Sequence, residues 1–341
     1  MTSYSEKINK LFYYWLILSF IMIFIMIIVG GLTRLTDSGL SITKWELFSG
    51  IFPPLSLESW NSYFSLYKKI PQYKLLNSNI SLDQFKVIFY WEYFHRILGR
   101  IIGIFFLIPL IFFHFTGKIN KSYLVICNLI LALIVLQGFV GWYMVKSGLV
   151  NNVTVSHYRL SIHLSIAFII IAMIFWVLKN IKTKKYINFF SNIRKSYYFY
   201  FLIFIVFLQI IFGAFVSGLD AGRMYQTWPL MNYTYFPDDV AIINIKDLFN
   251  FSNHSLVQFY HRNLAYIILI YSLFIGFFIL KNNLPNLFKP YCVVMIVLLF
   301  QIVLGIATLI SGLNIYLASG HQIFSLLLIL SVINLYYRNI N

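Results

Sequence analysis

Four histidines, His95, His163, His261 and His321, fall inside or at the edge of long apolar runs. An ionisable group within a membrane span is costly, and its default reading is functional. At a helical rise of ~1.5 Å per residue, His95 and His261 lie ~28 Å from the inner ends of their runs, His163 ~22 Å and His321 ~24 Å. All four therefore sit in the outer part of the membrane. Within each half of the chain, the two histidines reach similar heights on two different helices. Imidazoles placed this way can grip one flat ligand from both faces, as axial ligands do on a haem iron. Two pairs, His95 with His163 and His261 with His321, imply two porphyrin sites. A zinc or copper centre would want three or four clustered ligands, often with cysteine or carboxylate, and no such cluster is legible. The competing reading is four hydrogen-bonded core histidines, and the repetition of the pairing weighs against it. His114, His157 and His254 read as interfacial or solvated groups.

The two pairs differ in their neighbours. The first is preceded by Glu92-Tyr93-Phe94 and the second by Gln258-Phe259-Tyr260. Glu92 shares a helix face with His95, three residues on. A carboxylate beside a porphyrin can act as a base, stabilise a developing cation or move protons, whereas the amide of Gln258 can only hydrogen-bond. The first site therefore reads as the reactive one and the second as a fixed cofactor that stores or passes electrons. An ion pair between Glu92 and Arg96 is the plainer alternative. Arg96 and Arg262 directly follow their histidines. Each is either a fork for a haem propionate or an ordinary snorkelling arginine.

The elements that must position these groups are membrane helices. The 341-residue chain is 60% hydrophobic and 11% charged, against about 25% charged for a soluble domain. Uncharged runs cover Leu11 to Thr33, Tyr123 to Val145, Tyr197 to Leu219 and Tyr291 to Tyr337. The last is long enough for two crossings of a ~30 Å core, folding back at Ser311, Gly312 and Asn314. With Val87 to His114, Leu160 to Leu178 and Val257 to Leu280, eight spans are expected. The net charge of +16 does not point to nucleic acid, because the basic residues sit between spans. Lys7, Lys10, Lys118, Lys121, Lys179, Lys182, Lys184, Lys185, Arg194, Lys195, Lys281, Lys289 and Arg338 all fall on one side if the spans alternate. The positive-inside rule then places both termini in the cytoplasm. Long connections, about Thr33 to Lys86 and Leu219 to Leu256, lie outside. Cys127 and Cys292 lie within spans and read as small apolar core residues.

The chain is also duplicated. Gly30-Gly31-Leu32-Thr33 through Asp37, Gly39 and Trp45 recurs as Gly213-Ala214-Phe215-Val216 through Asp220, Gly222 and Trp228, at an offset of 183. His95-Arg96 recurs as His261-Arg262 at 166. Gln137, Gly141, Ser147 and Gly148 recur as Gln301, Gly305, Ser311 and Gly312 at 164, and His163 as His321 at 158. The expected fold is an all-α integral membrane protein with eight transmembrane helices in two tandem four-helix bundles. A pseudo-twofold axis along the membrane normal would relate them. Residues 1–180 form the first half and 181–341 the second. The glycines Gly30, Gly31, Gly138, Gly141, Gly213 and Gly305 read as points of close helix packing. Asp37 and Asp220 read as turn residues.

Several strings resemble one family. Gly31-Leu32-Thr33-Arg34-Leu35-Thr36, Ser38-Gly39-Leu40-Ser41 and Trp45 resemble the end of the first helix of the haem A synthases. Glu92-Tyr93-Phe94-His95-Arg96 is similar to their E-x-x-H-R signature. The segment Gly213 to Gly222, followed by Trp228-Pro229 and Met231, looks like their fifth-helix region. The resemblance runs from the first span to His321-Gln322 and best matches the branch shared by proteobacteria and mitochondria. It implies oxidation of a ring methyl of haem O to a formyl group, through an alcohol and a hydrated aldehyde. It implies haem O near His95 and His163, Glu92 as the residue essential for chemistry, and a resident haem b on His261 and His321. It further implies membrane lipid as surroundings, haem–copper terminal oxidases and their assembly factors downstream, and haem O synthase (the protohaem farnesyltransferase) as a partner; a homo-oligomer stays open. Some relatives carry a cysteine pair in the first external connection, which this chain lacks, so a thiol role there is excluded. Without a recognisable transit peptide, the expected location is a bacterial inner membrane. Two other classes share parts of the pattern. A bis-histidine membrane cytochrome that only transfers electrons needs no difference between Glu92 and Gln258. A transporter would place its substrate groups near the bilayer midplane.

Overall fold

The computed structural model describes residues 10–44, 49–151, 153–190 and 196–341. Trp45, Lys7, Arg194 and Lys195, used above for the repeat and the charge pattern, lie outside the described residues. Eight helices among the described residues are long and apolar enough to cross a membrane. They are α1 (Lys10–Leu35), α4 (Leu82–Thr116), α5 (Lys121–Asn151), α6 (His157–Thr183), α7 (Tyr197–Gly218), α8 (His254–Lys281), α9 (Pro285–Ile310) and α10 (Ile315–Ile340). Two short helices, α2 (Leu57–Tyr67) and α3 (Pro71–Leu76), form in the first long connection. The fold is an all-helical multi-pass membrane protein. The expected run from Tyr291 to Tyr337 is indeed two helices, separated at Gly312, whose φ of +71° suits a residue without Cβ.

Local sequence explains the boundaries. Ser81 opens α4 with a capping box, its side chain bonded to the Gln84 amide and the Gln84 side chain returned to its own amide. Gly117 closes that helix in the left-handed conformation. Asn253 caps α8 and Asn314 caps α10. Pro109 inside α4 cannot donate to the Phe105 carbonyl. The Trp15 indole of α1 donates to it instead, at 3.1 Å, so the break is satisfied from the neighbouring helix. Every membrane helix runs past the apolar stretch read from sequence except α7. Thus His157 and His254 are not connection residues: they begin α6 and α8. Helices continue into the interface because their polar ends still satisfy backbone groups.

Two compact units divide the chain within α6, one reaching Ile171 and the other starting at Ala172. In the second unit the end of α6 is held by its own chemistry. Trp176 stacks on Tyr336 at 5.6 Å, Lys179 Nζ donates to Asn334 Oδ1 at 2.7 Å, and Thr183 and Tyr337 share a hydroxyl contact of 2.7 Å. In the first unit, an aromatic-rich core that includes Leu40, Ile42, Trp60, Phe64, Tyr67, Phe85 and Phe89 packs α2 and the segment after α1 against the start of α4. The buried Tyr67 hydroxyl donates to Gln72 Oε1 and accepts from Asn77 Nδ2. Burial pushes its pKa above the ordinary tyrosine value. This core lays residues 40–42 across the face of α4 that carries Glu92.

Candidate functional site

Each of the four repeated histidines packs against a glycine of an adjoining helix. A Cβ placed on Gly30 of α1 would stand 3.0 Å from His95 Cε1 of α4. The corresponding distances are 3.1 Å from Gly141 of α5 to His163 of α6, 3.2 Å from Gly213 of α7 to His261 of α8, and 2.8 Å from Gly305 of α9 to His321 of α10. The glycines are themselves repeat partners. Sequence reading took them for helix-packing residues; they are seats for imidazole rings. Their recurrence in the same order as the histidine blocks was the signal that could have revealed this.

In the second half the rings of His261 and His321 stand 6.3 Å apart between centroids, with planes at 78°. Two metal–imidazole bonds of about 2 Å in line, with a ring radius at each end, separate centroids by roughly 6 Å. His321 Nδ1 lies 3.1 Å from the Gln301 carbonyl. Donation there assigns the tautomer that leaves Nε2 with a lone pair for a metal. The side-chain amides of Gln209 and Gln301 lie 3.4 Å from the Nε2 atoms of His261 and His321 respectively. Gln209 also donates to the His261 carbonyl at 3.0 Å. In the first half Gln137 donates to the His163 carbonyl at 2.9 Å. The Nδ1 atoms of His95, His163 and His261 are buried without a hydrogen-bond partner. Imidazoles seated on glycines, with the His261 and His321 rings 6.3 Å apart, fit a site built around a porphyrin iron. No group of three or more His, Cys, Asp or Glu suited to a metal ion occurs among the described residues. Gln209 was missed because its first-half counterpart is Met26, which hides it from the repeat.

Glu92 is buried, 2% exposed. Its Oε1 accepts from Arg96 Nε at 3.0 Å and from an Arg96 terminal nitrogen at 2.5 Å, a buried ion pair. Its Oε2 accepts from Ser41 Oγ at 2.7 Å and the Ile42 amide at 2.8 Å. Arg96 also donates to the Ile42 carbonyl at 2.9 Å. The second half repeats the grip with altered polarity. Arg262 donates to the carbonyls of Tyr225 at 2.7 Å and Thr227 at 2.9 Å, and Gln258 Nε2 donates to Tyr225 at 2.9 Å. Ile42 and Tyr225 are repeat partners at offset 183. Each arginine therefore ties the segment after its half's first helix to the histidine helix. The carboxylate receives an amide N–H where the amide side chain gives one to a carbonyl. Tyr225 is held by Asp238 and Asp239, whose Oδ1 atoms lie 2.5 and 2.7 Å from its hydroxyl. Burial, and then these two carboxylates, push that hydroxyl well above its ordinary pKa.

His114 sits near the C-terminal end of α4 beside Asn128, with 2.9 Å between Nε2 and Oδ1. It and the helix-starting His157 and His254 take no part in these clusters. Cys127 and Cys292 are free thiols in α5 and α9.

A family model described as cytochrome oxidase assembly protein matches residues 13–333. The chain is 48% identical over 338 residues to a heme A synthase of Pelagibacter ubique (strain HTCC1062), covering 99% of each chain. It is 41% identical to a heme A synthase of Rickettsia africae (strain ESF-5), covering 95% of this chain and 96% of that one. A third relative, from Rickettsia canadensis (strain McKiel), is 41% identical over 325 residues. With a match along nearly its whole length and the paired, glycine-seated histidines in both halves, the chain belongs to the haem A synthase family of cytochrome oxidase assembly proteins.

Proposed function

We propose that the protein is a haem A synthase that oxidises a ring methyl of haem O to the formyl group of haem A, for use in haem–copper terminal oxidases. The near-full-length similarity to heme A synthases carries this reading. The asymmetry between Glu92 and Gln258 gives it a direction. His95 and His163, in the first half, hold the substrate haem. His261 and His321, in the second, would hold a resident haem b, which would supply one-electron chemistry.

Glu92 lies one helical turn from His95, with its oxygens fixed by Arg96, Ser41 and the Ile42 amide. From there it stabilises positive charge or takes a proton as the methyl carbon is oxidised. The fixed donors hold the carboxylate before the reaction begins, so no reorganisation is needed during it. Arg96 and Arg262, which directly follow the histidines, would bind the charged propionates. Their grip on the loop carbonyls would then couple haem seating to loop closure.

The bacterial inner membrane is the proposed location, with both termini cytoplasmic, supported by the basic residues of the inner connections. Haem O synthase and terminal-oxidase assembly factors are the proposed partners, and membrane lipid the route for a hydrophobic substrate.

The test is expression with a haem O supply, followed by chromatography of the extracted haems. Hydroxylated and formyl haem are expected. Their absence, with haem O present and the protein folded, discards the reading in favour of a cytochrome that only moves electrons.

A further inference from the structure

Alternation of the spans puts the joined ends of α5 and α6 on the side away from both termini. Two cations stand there, Lys146 of α5 and Arg159 of α6. Neither forms an ion pair with a described residue. Each stands over an aromatic ring of α5 instead. Lys146 Nζ lies 5.0 Å from the centroid of Trp142, and the Arg159 guanidinium 4.8 Å from that of Tyr143. Arg159 also donates to the Ser147 hydroxyl, which in turn donates to the Tyr143 carbonyl at 2.7 Å. Phe139 joins the group, its ring 5.6 Å from that of Trp142.

Phe139, Trp142, Tyr143 and Lys146 follow the spacing i, i+3, i+4, i+7, so they line one face of α5. At ~100° per residue that face is centred ~150° from Gly141, the seat of His163. It therefore looks away from the histidine site, and Phe139 and Tyr143 are 59% and 47% exposed. The order along the helix is graded. The apolar ring of Phe139 lies deepest, the amphipathic rings of Trp142 and Tyr143 come next, and Lys146 stands ~10 Å beyond Phe139. Such a gradient matches the boundary of a bilayer, from acyl chain through the aromatic belt to the headgroups.

The second half lacks every part of it. Phe139, Trp142, Tyr143 and Lys146 match Val303, Ile306, Ala307 and Ile310 at an offset of 164, and Arg159 matches Leu317 at 158. Those five aliphatic residues, with Ser311, line an apolar groove of about 530 Å³. The cations and rings are therefore no requirement of the repeated helix pair, which packs without them.

We propose that this face of α5, together with Arg159, binds an anionic phospholipid of the bilayer. The phosphate sits between the Lys146 ammonium and the Arg159 guanidinium, whose planar fork of N–H donors suits it. Trp142 and Tyr143 hold the two cations at headgroup height by cation–π contact. An acyl chain runs inward along Phe139. The plainer alternative, two snorkelling cations solvated separately, gives no preference among headgroups at this place. A zwitterionic lipid brings its own ammonium to the phosphate and gains little from either residue.

The experiment titrates the purified full chain in detergent with phosphatidylglycerol, or with phosphatidylcholine of the same acyl chains, and counts bound lipid by native mass spectrometry. The tightest phosphatidylglycerol site should bind on the order of tenfold more strongly than the tightest phosphatidylcholine site. Lys146→Ile with Arg159→Leu, which copies the second half, should weaken phosphatidylglycerol roughly 30-fold and phosphatidylcholine by less than about twofold. No preference in the parent, or an undiminished preference in the double variant, would overturn the proposal. Helix content by circular dichroism and the size-exclusion profile report the fold. Should the double variant lose either, Lys146→Ile alone decides, since that side chain is exposed. Roughly fivefold weaker phosphatidylglycerol binding then supports the site, and unchanged binding overturns it. Loss of retained haem from the double variant with phosphatidylglycerol binding intact would assign the cations to a haem propionate and likewise overturn it.

Discussion

In both halves an arginine next to a histidine reaches the carbonyl of a matched loop residue, Ile42 or Tyr225. Beside it, a carboxylate in one half and an amide in the other complete the grip. The scaffold is the same and the chemistry is not. A carboxylate facing an amide N–H and a guanidinium is a fixed negative group within a turn of His95. An amide in its place is a structural strut. The histidines differ in support too. Those of the second half face glutamine amides at 3.4 Å, and Gln209 has Met26 as its counterpart. The proposed division, a site that holds its ring rigidly and a site that reacts, rests on these differences.

The sharpest way to break this comparison is to remove ligands from one half at a time. His261→Ala with His321→Ala should abolish retained haem b, while His95→Ala with His163→Ala should leave haem b and abolish haem A formation. A pyridine haemochrome spectrum with haem chromatography distinguishes them, and equal losses from both pairs would erase the proposed division of labour. Next in size, Glu92→Gln converts the first half to the chemistry of the second. Turnover should fall by about 10²-fold or more with haem content unchanged, read from product per retained haem b. Gln258→Glu should not create a second reactive site.

Smaller effects come from the glycine seats. Alanine at Gly305, Gly30, Gly141 and Gly213 should disturb the facing imidazole in that order, following Cβ distances of 2.8, 3.0, 3.1 and 3.2 Å. Costs of about 1–3 kcal/mol are expected, seen as shifts in haem absorbance and in the temperature of haem release. Gln209→Met, which copies the first half, should loosen haem b by about 1 kcal/mol through the lost bond to the His261 carbonyl. The smallest effect concerns Asp247, whose Oδ2 accepts the amides of Asn244 and Ile243 at 2.8 and 2.9 Å. Those bonds hold its carboxyl below the ordinary value of 3.8. A depressed folded pKa gives stability that is present above the unfolded value and lost as pH falls through the folded one. Limited proteolysis of the second outer loop should therefore accelerate on acidification below the ordinary carboxyl value, and Asp247→Asn should remove that dependence.

Much of this was legible in the chain. Eight spans follow from apolar runs, because hydrocarbon tolerates only closed backbone hydrogen bonding. The approach of His261 to His321 follows from residue rise and matched order. Less legible were α2 and α3, whose moments are local and whose aromatic core forms only against α4. The helix starts at His157 and His254 were hidden because polar residues at an interface extend a helix without adding hydropathy.

The sequence alone settled that this is a multi-pass membrane protein whose sequence repeat places Glu92 opposite Gln258, since composition, period and repeat are properties of the chain's order. It also offered an ion pair between Glu92 and Arg96, at i and i+4 on one helix, as one of two readings. Only the tertiary structure decided that this pair is buried under residues 41–42, that four glycines seat four imidazoles, and that Gln209 braces His261. Those are contacts between segments distant in the chain, and they arise where close packing brings helix faces together.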